Sequence, residues 1–238
     1  MSLRKLESRL REHTNPEKAK ILQRFFKTGE GQYGEGDVFL GIVVPIQRQI
    51  VSEFKDLVID DVQKLLDSKV HEKRLIGVLI LIEKYKKADA SEKKQIFDFY
   101  LKNAKNNNIN NWDLVDLSAP NIVGNFLLDK VEERSTLYKL AESNNLWEKR
   151  ISIIATLTFI RNKEFEDSLK ISKILLNDSH DLIHKAVGWM LREIGKRDVD
   201  VLRKFLKDNY QDMPRTMLRY SIEKFEEDER KGWLQGEI

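Results

Sequence analysis

The chain has 238 residues, of which 41% are hydrophobic and 34% charged, a balance that suits a folded, surface-rich protein and excludes a disordered one. It has no cysteine, which excludes disulfides, thiolate zinc sites and cysteine-ligated iron–sulfur clusters. A net charge of +3 is too small to announce a nucleic-acid binder, so any basic surface must come from local clustering.

With 11 glycines and only 4 prolines the chain carries few breakers, and the helical period dominates from the start. Leu3, Leu6 and Leu10 recur at spacings of three and four, and Asn15 with Pro16 reads as a cap and first turn. Further helices are expected to begin near Pro45, Asp60, His71, Ser91, Asn111, Ser135, Trp147, Phe165, Leu182, Asp198 and Pro214. No stretch alternates between turn signals with a period of two, so no sheet is expected. "MSLRKLESRLREH" lacks the apolar core of a signal peptide, and no run approaches the length of a membrane span. The expected location is cytoplasmic.

"HEKRLIGVLIL", "NWDLVDLSAP", "WEKRISIIATL" and "IHKAVGWMLRE" begin at 71, 111, 147 and 183, spaced by 40, 36 and 36 residues. That is near the period of HEAT-type helix pairs. The expected fold is therefore all-α, a curved HEAT-like helical repeat solenoid with equivalent helices lining one concave groove. A non-repeating helical bundle is the alternative. The layout is a single repeat domain over 1–238, with N-terminal helices in 1–56, repeats over about 57–210 and capping helices over 211–238.

Helical geometry at about 100° per residue puts Trp112 and Asp116 roughly 40° apart on one face. Leu114 and Leu117 fall on the opposite, core-facing side, with Asp113 between. In 182–196, Ile183, Val187, Leu191 and Ile194 form one side and Trp189 lies on the other, among Lys185, Arg192 and Lys196. A tryptophan on a basic face suits stacking on a sugar or base beside a phosphate, or packing against a neighbouring repeat beneath the lysine stems. Arg150 stands in the first turn of a helix apolar nearly all round, so it needs a partner: a phosphate, or a carboxylate such as Glu148 or Asp116.

Three patterns carry less. "GEGQYG" (29–34) matches a nucleotide-binding spacing but follows a helix, so it reads as a mobile loop. His180 and His184 have metal-ligand spacing without an HExxH pattern, and no metal is expected. The lysine-rich strings around 84–105 read as solvated helix faces.

"FLGIVVPIQR" (39–48), "NNWDLVDLSAPNIVG" (110–124), "LWEKRISIIAT" (146–156), "HKAVGWMLRE" (184–193) and "MPRTMLRYSIEKF" (213–225) together resemble the AlkD-type DNA alkylation repair glycosylases. The resemblance runs from about residue 20 to the C-terminal helices. It implies HEAT-like repeats with a concave DNA-binding groove, and removal of N3- or N7-alkylated purines from duplex DNA without a metal or cofactor, with Trp112, Asp116, Arg150 and Trp189 at the family's active-groove positions. Tyr33, in the loop "KTGEGQYGEGDV", corresponds to a DNA-contacting aromatic. Arg48, Lys185, Arg192 and Lys196 are the further expected DNA contacts. The expected protein is a monomeric alkylpurine glycosylase acting in base excision repair, with duplex DNA as partner. Asp116 would stabilise the positive sugar and orient water, the tryptophans would wall the lesion, and Arg150 would hold a phosphate. A non-catalytic repeat scaffold that binds DNA structure or protein is the alternative from another class.

Overall fold

Asparagine, aspartate and histidine side chains, rather than strand signals, punctuate this chain, and helix follows helix. The computed structural model describes residues 2–237, and among these the one extended pairing is an isolated parallel bridge between Val38 and Val70. The helices start within one residue of the positions read from sequence, from Val44 and Ile59 through His71 to Val199 and Arg215. Their caps explain why. The Asn15 side chain accepts the Lys18 N–H at 3.0 Å, Asp89 and Glu92 form a reciprocal capping box, and Asp198 accepts from Asp200 and Val201.

The chain divides into two compact units, Met1–Ser118 and Ala119–Ile238, a boundary that the single-domain layout does not place. The first unit holds α1 (Leu3–Glu12), α2 (Pro16–Phe25), α3 (Val44–Phe54), α4 (Ile59–Leu66), α5 (His71–Lys87), α6 (Ala90–Lys105) and α7 (Trp112–Ala119), the last ending at the boundary. Its centre is α5, whose Leu75 to Ile82 are buried on every side between α3, α4 and α6. Between α2 and α3 runs a loop with no helix of its own. Glu72, buried in the first turn of α5, grips it by accepting the N–H groups of Leu40, Gly41 and Ile42 at 2.8–3.2 Å. Gly41 has φ +81°, and a Cβ there would meet the Asn15 carbonyl at 2.0 Å, so only glycine fits.

The second unit opens with a π-helical turn at Pro120–Gly124, where proline, having no N–H, interrupts the ladder. The Thr158 hydroxyl donates to the Pro120 carbonyl at 2.8 Å. There follow α8 (Asn125–Leu127), a 3₁₀ turn (Val131–Arg134), α9 (Ser135–Ala141), α10 (Leu146–Ala155), α11 (Leu157–Arg161), α12 (Glu166–Ile174), α13 (Asp181–Gly195), α14 (Val199–Asn209), α15 (Arg215–Ser221) and α16 (Glu227–Gln235). α10 is the buried centre here, between α9 and α13, and α13 packs on α14 and α15. α16 lies in the stretch 211–238 expected to hold capping helices, although the sequence pattern places no start for it. Trp233 anchors it, 1% exposed and edge-on to Tyr210 at 5.4 Å, and Glu229 accepts two hydrogen bonds from Arg203 at 2.8 and 2.9 Å.

α13 and α15 approach so closely because Gly188 presents no side chain. A Cβ at that position would lie 2.5 Å from Tyr220 Cβ and 2.6 Å from the Met217 carbonyl oxygen. Gly188→Ala is therefore expected to cost about 1–3 kcal/mol through forced separation of the two helices. Gly29→Ala, whose Cβ would meet only the end of Gln32, should cost less than about 0.5 kcal/mol. Calorimetric melting of the two variants beside the parent checks the contrast.

Candidate functional site

In the first unit the chemistry gathers at two helix starts. The first turn of α5 turns three charged side chains inward: His71, Glu72 and Arg74 are 2%, 1% and 3% exposed. Such burial demands partners. His71 Nε2 lies 2.8 Å from Asp113 Oδ2, and its Nδ1 lies 3.4 Å from Asp37 Oδ2. Arg74 Nη2 donates to the same Asp37 oxygen at 2.6 Å. Burial works to lower the His71 pKa, but the Asp113 charge and the hydrogen bonds to Asp113 and Asp37 outweigh it and raise it to about 9. Burial likewise works to raise Asp37, and its His71 and Arg74 partners hold it below the ordinary carboxylate range.

Aromatic rings stack on this cluster. Phe39 and Phe26 lie 4.7 Å and 4.8 Å from the imidazole, and Phe26 stacks on Trp112 at 5.3 Å with 10° between planes. Phe25, 61% exposed, leans edge-on against Trp112 at 6.0 Å. A cavity of about 320 Å³ lies beside the stack, walled by Ile21, Leu22, Phe26, Phe39 and Ile42, with Gln47 and Asp113 among its polar groups.

Trp112 and Asp116 are both half-buried on α7, as its wheel requires. Its inward face differs from the expected one. Leu114, Val115 and Ser118 are fully buried whereas Leu117 is only half-buried, because the helix packs along Asn111, Leu114, Val115 and Ser118. Asp113, read from the wheel as lying between faces, is committed to His71. Burial pushes the Tyr100 hydroxyl, which shares a 2.8 Å hydrogen bond with Ser118, well above its usual range, and the Asp116 charge adds to that. Tyr33 is half-buried, with Lys27 Nζ 5.9 Å from its ring centroid. Arg48 is exposed on α3, beside a shallow cleft that it shares with Ser52, Lys55 and Glu83.

In the second unit Arg150 is 5% exposed in the first turn of α10, and its Nη1 donates to the Leu182 carbonyl. Glu148, one carboxylate weighed for it, accepts a hydrogen bond from the Ser143 hydroxyl. On α13, Ile183, Val187, Leu191 and Ile194 are buried and Trp189 is half-buried, as the pattern implies. The cations around that tryptophan are engaged: Lys185 pairs with Asp181 at 2.6 Å, Lys196 with Glu193 at 2.6 Å, and Arg192 with Glu223. His180 caps α13 by accepting the Leu182 N–H at 3.1 Å, while His184 bonds the Asp178 carbonyl, so the two rings serve separate local bonds.

The missed residues are His71, Glu72, Arg74 and Asp37, with the phenylalanines against Trp112. One signal was available. "HEKR" is followed by "LIGVLILI" (75–82), eight residues with no polar side chain, and a charged first turn on a helix apolar all round implies inward polar groups with distant partners.

These features define an all-α helical protein whose aromatic and ionisable groups cluster at the first turns of its long helices. The chain belongs to the DNA alkylation repair enzyme family, whose sequence model matches residues 6–225. It is also similar to a solved structure described as a predicted DNA alkylation repair enzyme from Enterococcus faecalis. That protein is 16% identical, with a TM-score of 0.69 over 90% of this chain and 98% of its own. No curated protein matches. Among the described residues no helix is long and apolar enough to cross a membrane.

The ionised cluster makes stability pH-dependent with a definite sign. A histidine raised to about 9 contributes stability that is complete below about 6.5 and lost as pH rises through 9. Asp37, held low, contributes stability present above its ordinary value of 3.8 and lost as pH falls below it. Urea midpoints should therefore fall between pH 7 and pH 10. Asp113→Asn, which removes the charge facing His71, should flatten that alkaline slope, with Asp37, Arg74 and Glu72 still in place.

Proposed function

We propose that the protein is a DNA glycosylase that releases cationic N3- and N7-alkylated purines from duplex DNA. The observation that carries the reading is the pairing of Trp112 and Asp116, both half-buried on one face of α7, in a member of a DNA alkylation repair family.

Alkylation at N3 or N7 makes the purine cationic, so its departure needs no general acid. The bond from the sugar C1′ to the purine nitrogen breaks, its electron pair neutralises the ring, and positive charge develops on the sugar. Asp116 faces that charge as a fixed carboxylate and orients the water whose oxygen bonds to C1′; the water proton passes to the carboxylate or to solvent. Trp112, stiffened from behind by Phe26, offers an electron-rich face to sugar and lesion. By the same reading Trp189 supplies a second aromatic surface and Arg150 a phosphate contact. Tyr33 and Arg48 contact the DNA, as do Lys185, Arg192 and Lys196 once they exchange their present carboxylate partners for phosphates. The reaction takes place in base excision repair and calls on no cofactor.

Asp116→Asn should keep the fold and duplex affinity but lose roughly 10²–10³ in single-turnover excision of 7-methylguanine, the scale for one preorganised electrostatic group. Loss of binding in proportion to rate would contradict the role.

Lesion charge supplies a second check. Because the leaving group is already cationic, neutral lesions such as hypoxanthine or uracil should be nearly inert. Enlarging the alkyl group on a cationic purine should cost little. Excision across cationic and neutral adducts of increasing bulk reads this out, and efficient hypoxanthine release would count against the mechanism.

A further inference from the structure

We propose that His71 is a positioning residue for the chemistry of α7: by bridging Asp37 and Asp113 it fixes the first turn of that helix, and with it the aim of Trp112 and Asp116. The inference rests on the catalytic reading of those two residues.

Three routes lead from the imidazole to Trp112. Through Nε2 it holds Asp113, whose other oxygen accepts the Leu114 N–H at 2.9 Å, so the carboxylate both receives the histidine and closes the helix start. Through Nδ1 it meets Asp37, which also receives Asn111 Nδ2 at 3.4 Å, and Asn111 Oδ1 in turn accepts the Trp112 N–H at 2.9 Å. Through its ring it packs against Phe26 at 4.8 Å in a tilted contact, and Phe26 stacks on Trp112. The backbone and the indole of Trp112 are thus each fixed by groups that His71 holds. On its other side Trp112 leans only on Phe25, a mostly exposed ring.

The residue type suits the task. Two carboxylates on different segments must be joined by a flat group that packs against the stacked pair of Phe26 and Phe39. Only an imidazolium offers two N–H donors on separate ring atoms in that shape. Glutamine donates from a single nitrogen, and lysine has no plane to stack. His71 and Arg74 face the Asp37 and Asp113 carboxylates, and an uncharged substitute for His71 would leave Arg74 as the one cation against Asp37 and none against Asp113.

The test uses the full-length protein with His71→Gln, Asp113→Asn and the double variant. Asp113→Asn keeps the side-chain shape, so it serves if the histidine variant does not fold. The first readout is the indole N–H resonance of Trp112, assigned with Trp112→Phe and recorded without DNA. It should move in each folded variant. The second is single-turnover excision of 7-methylguanine at saturating protein, which should fall about 10-fold to 100-fold, the scale of a displaced reacting group. Affinity for undamaged duplex should stay within about twofold, and the double variant should lose no more than the worse single, as expected of one unit. An unmoved indole resonance, a parental excision rate, or losses that multiply would overturn the proposal. Should the parent release no base, the glycosylase reading fails by itself, and the indole resonance still decides the positioning: movement sustains it, and no movement overturns it.

Discussion

The first unit is organised around charges drawn together at the start of α5: the buried Asp37 carboxylate, His71 imidazole and Arg74 guanidinium, with the half-buried Asp113 facing them. Removing water from one such ion costs several kcal/mol, and only mutual neutralisation makes the arrangement tolerable. The charges come from three pieces of chain, Asp37 from the loop, His71 and Arg74 from α5, Asp113 from α7. Satisfying one therefore fixes the others. An apolar contact at the same place would tolerate sliding, whereas hydrogen bonds of 2.6–2.8 Å between ions do not.

This rigidity matters because α7 is short and abruptly ended. Eight residues after it begins, Pro120 forces a π turn, so the helix has little ladder of its own to hold its first residues in place. The aromatic cluster of Phe39, Phe26 and Trp112, with His71 packed against the two phenylalanines, supplies what the ladder does not. A half-buried indole can then be both well supported and open to a partner, which isolated surface tryptophans are not.

Much of this was legible in the sequence, and the reason is local. Helix starts were set by caps within three or four residues, which a single sequence displays. The outward Trp112–Asp116 pair followed from helical periodicity, as did the buried side of α13. Arg150 was readable as a buried cation because its helix is apolar around it. The contacts that escaped span long stretches of chain: His71 to Asp113 is 42 residues and Asn111 to Asp37 is 74, with no spacing rule to reveal them. Some missed features were nonetheless local. Lys185 with Asp181 and Lys196 with Glu193 are ordinary i, i+4 and i, i+3 pairs, and counting cations without their neighbours overstated the basic character of α13. The start of α16, within the stretch of expected capping helices, escaped because its charged first turn precedes one large buried apolar side chain, Trp233.

The Glu72 clamp has a consequence for how anions meet this protein. Three successive amides, from Leu40 to Ile42, converge on one point, the arrangement by which backbones elsewhere cradle phosphate or sulfate. Here the concavity is already filled, by an intramolecular carboxylate in the same unit. The loop is in effect a self-liganded nest. A phosphodiester would find no vacancy among those amides, so an anion meeting this loop is left to side-chain cations.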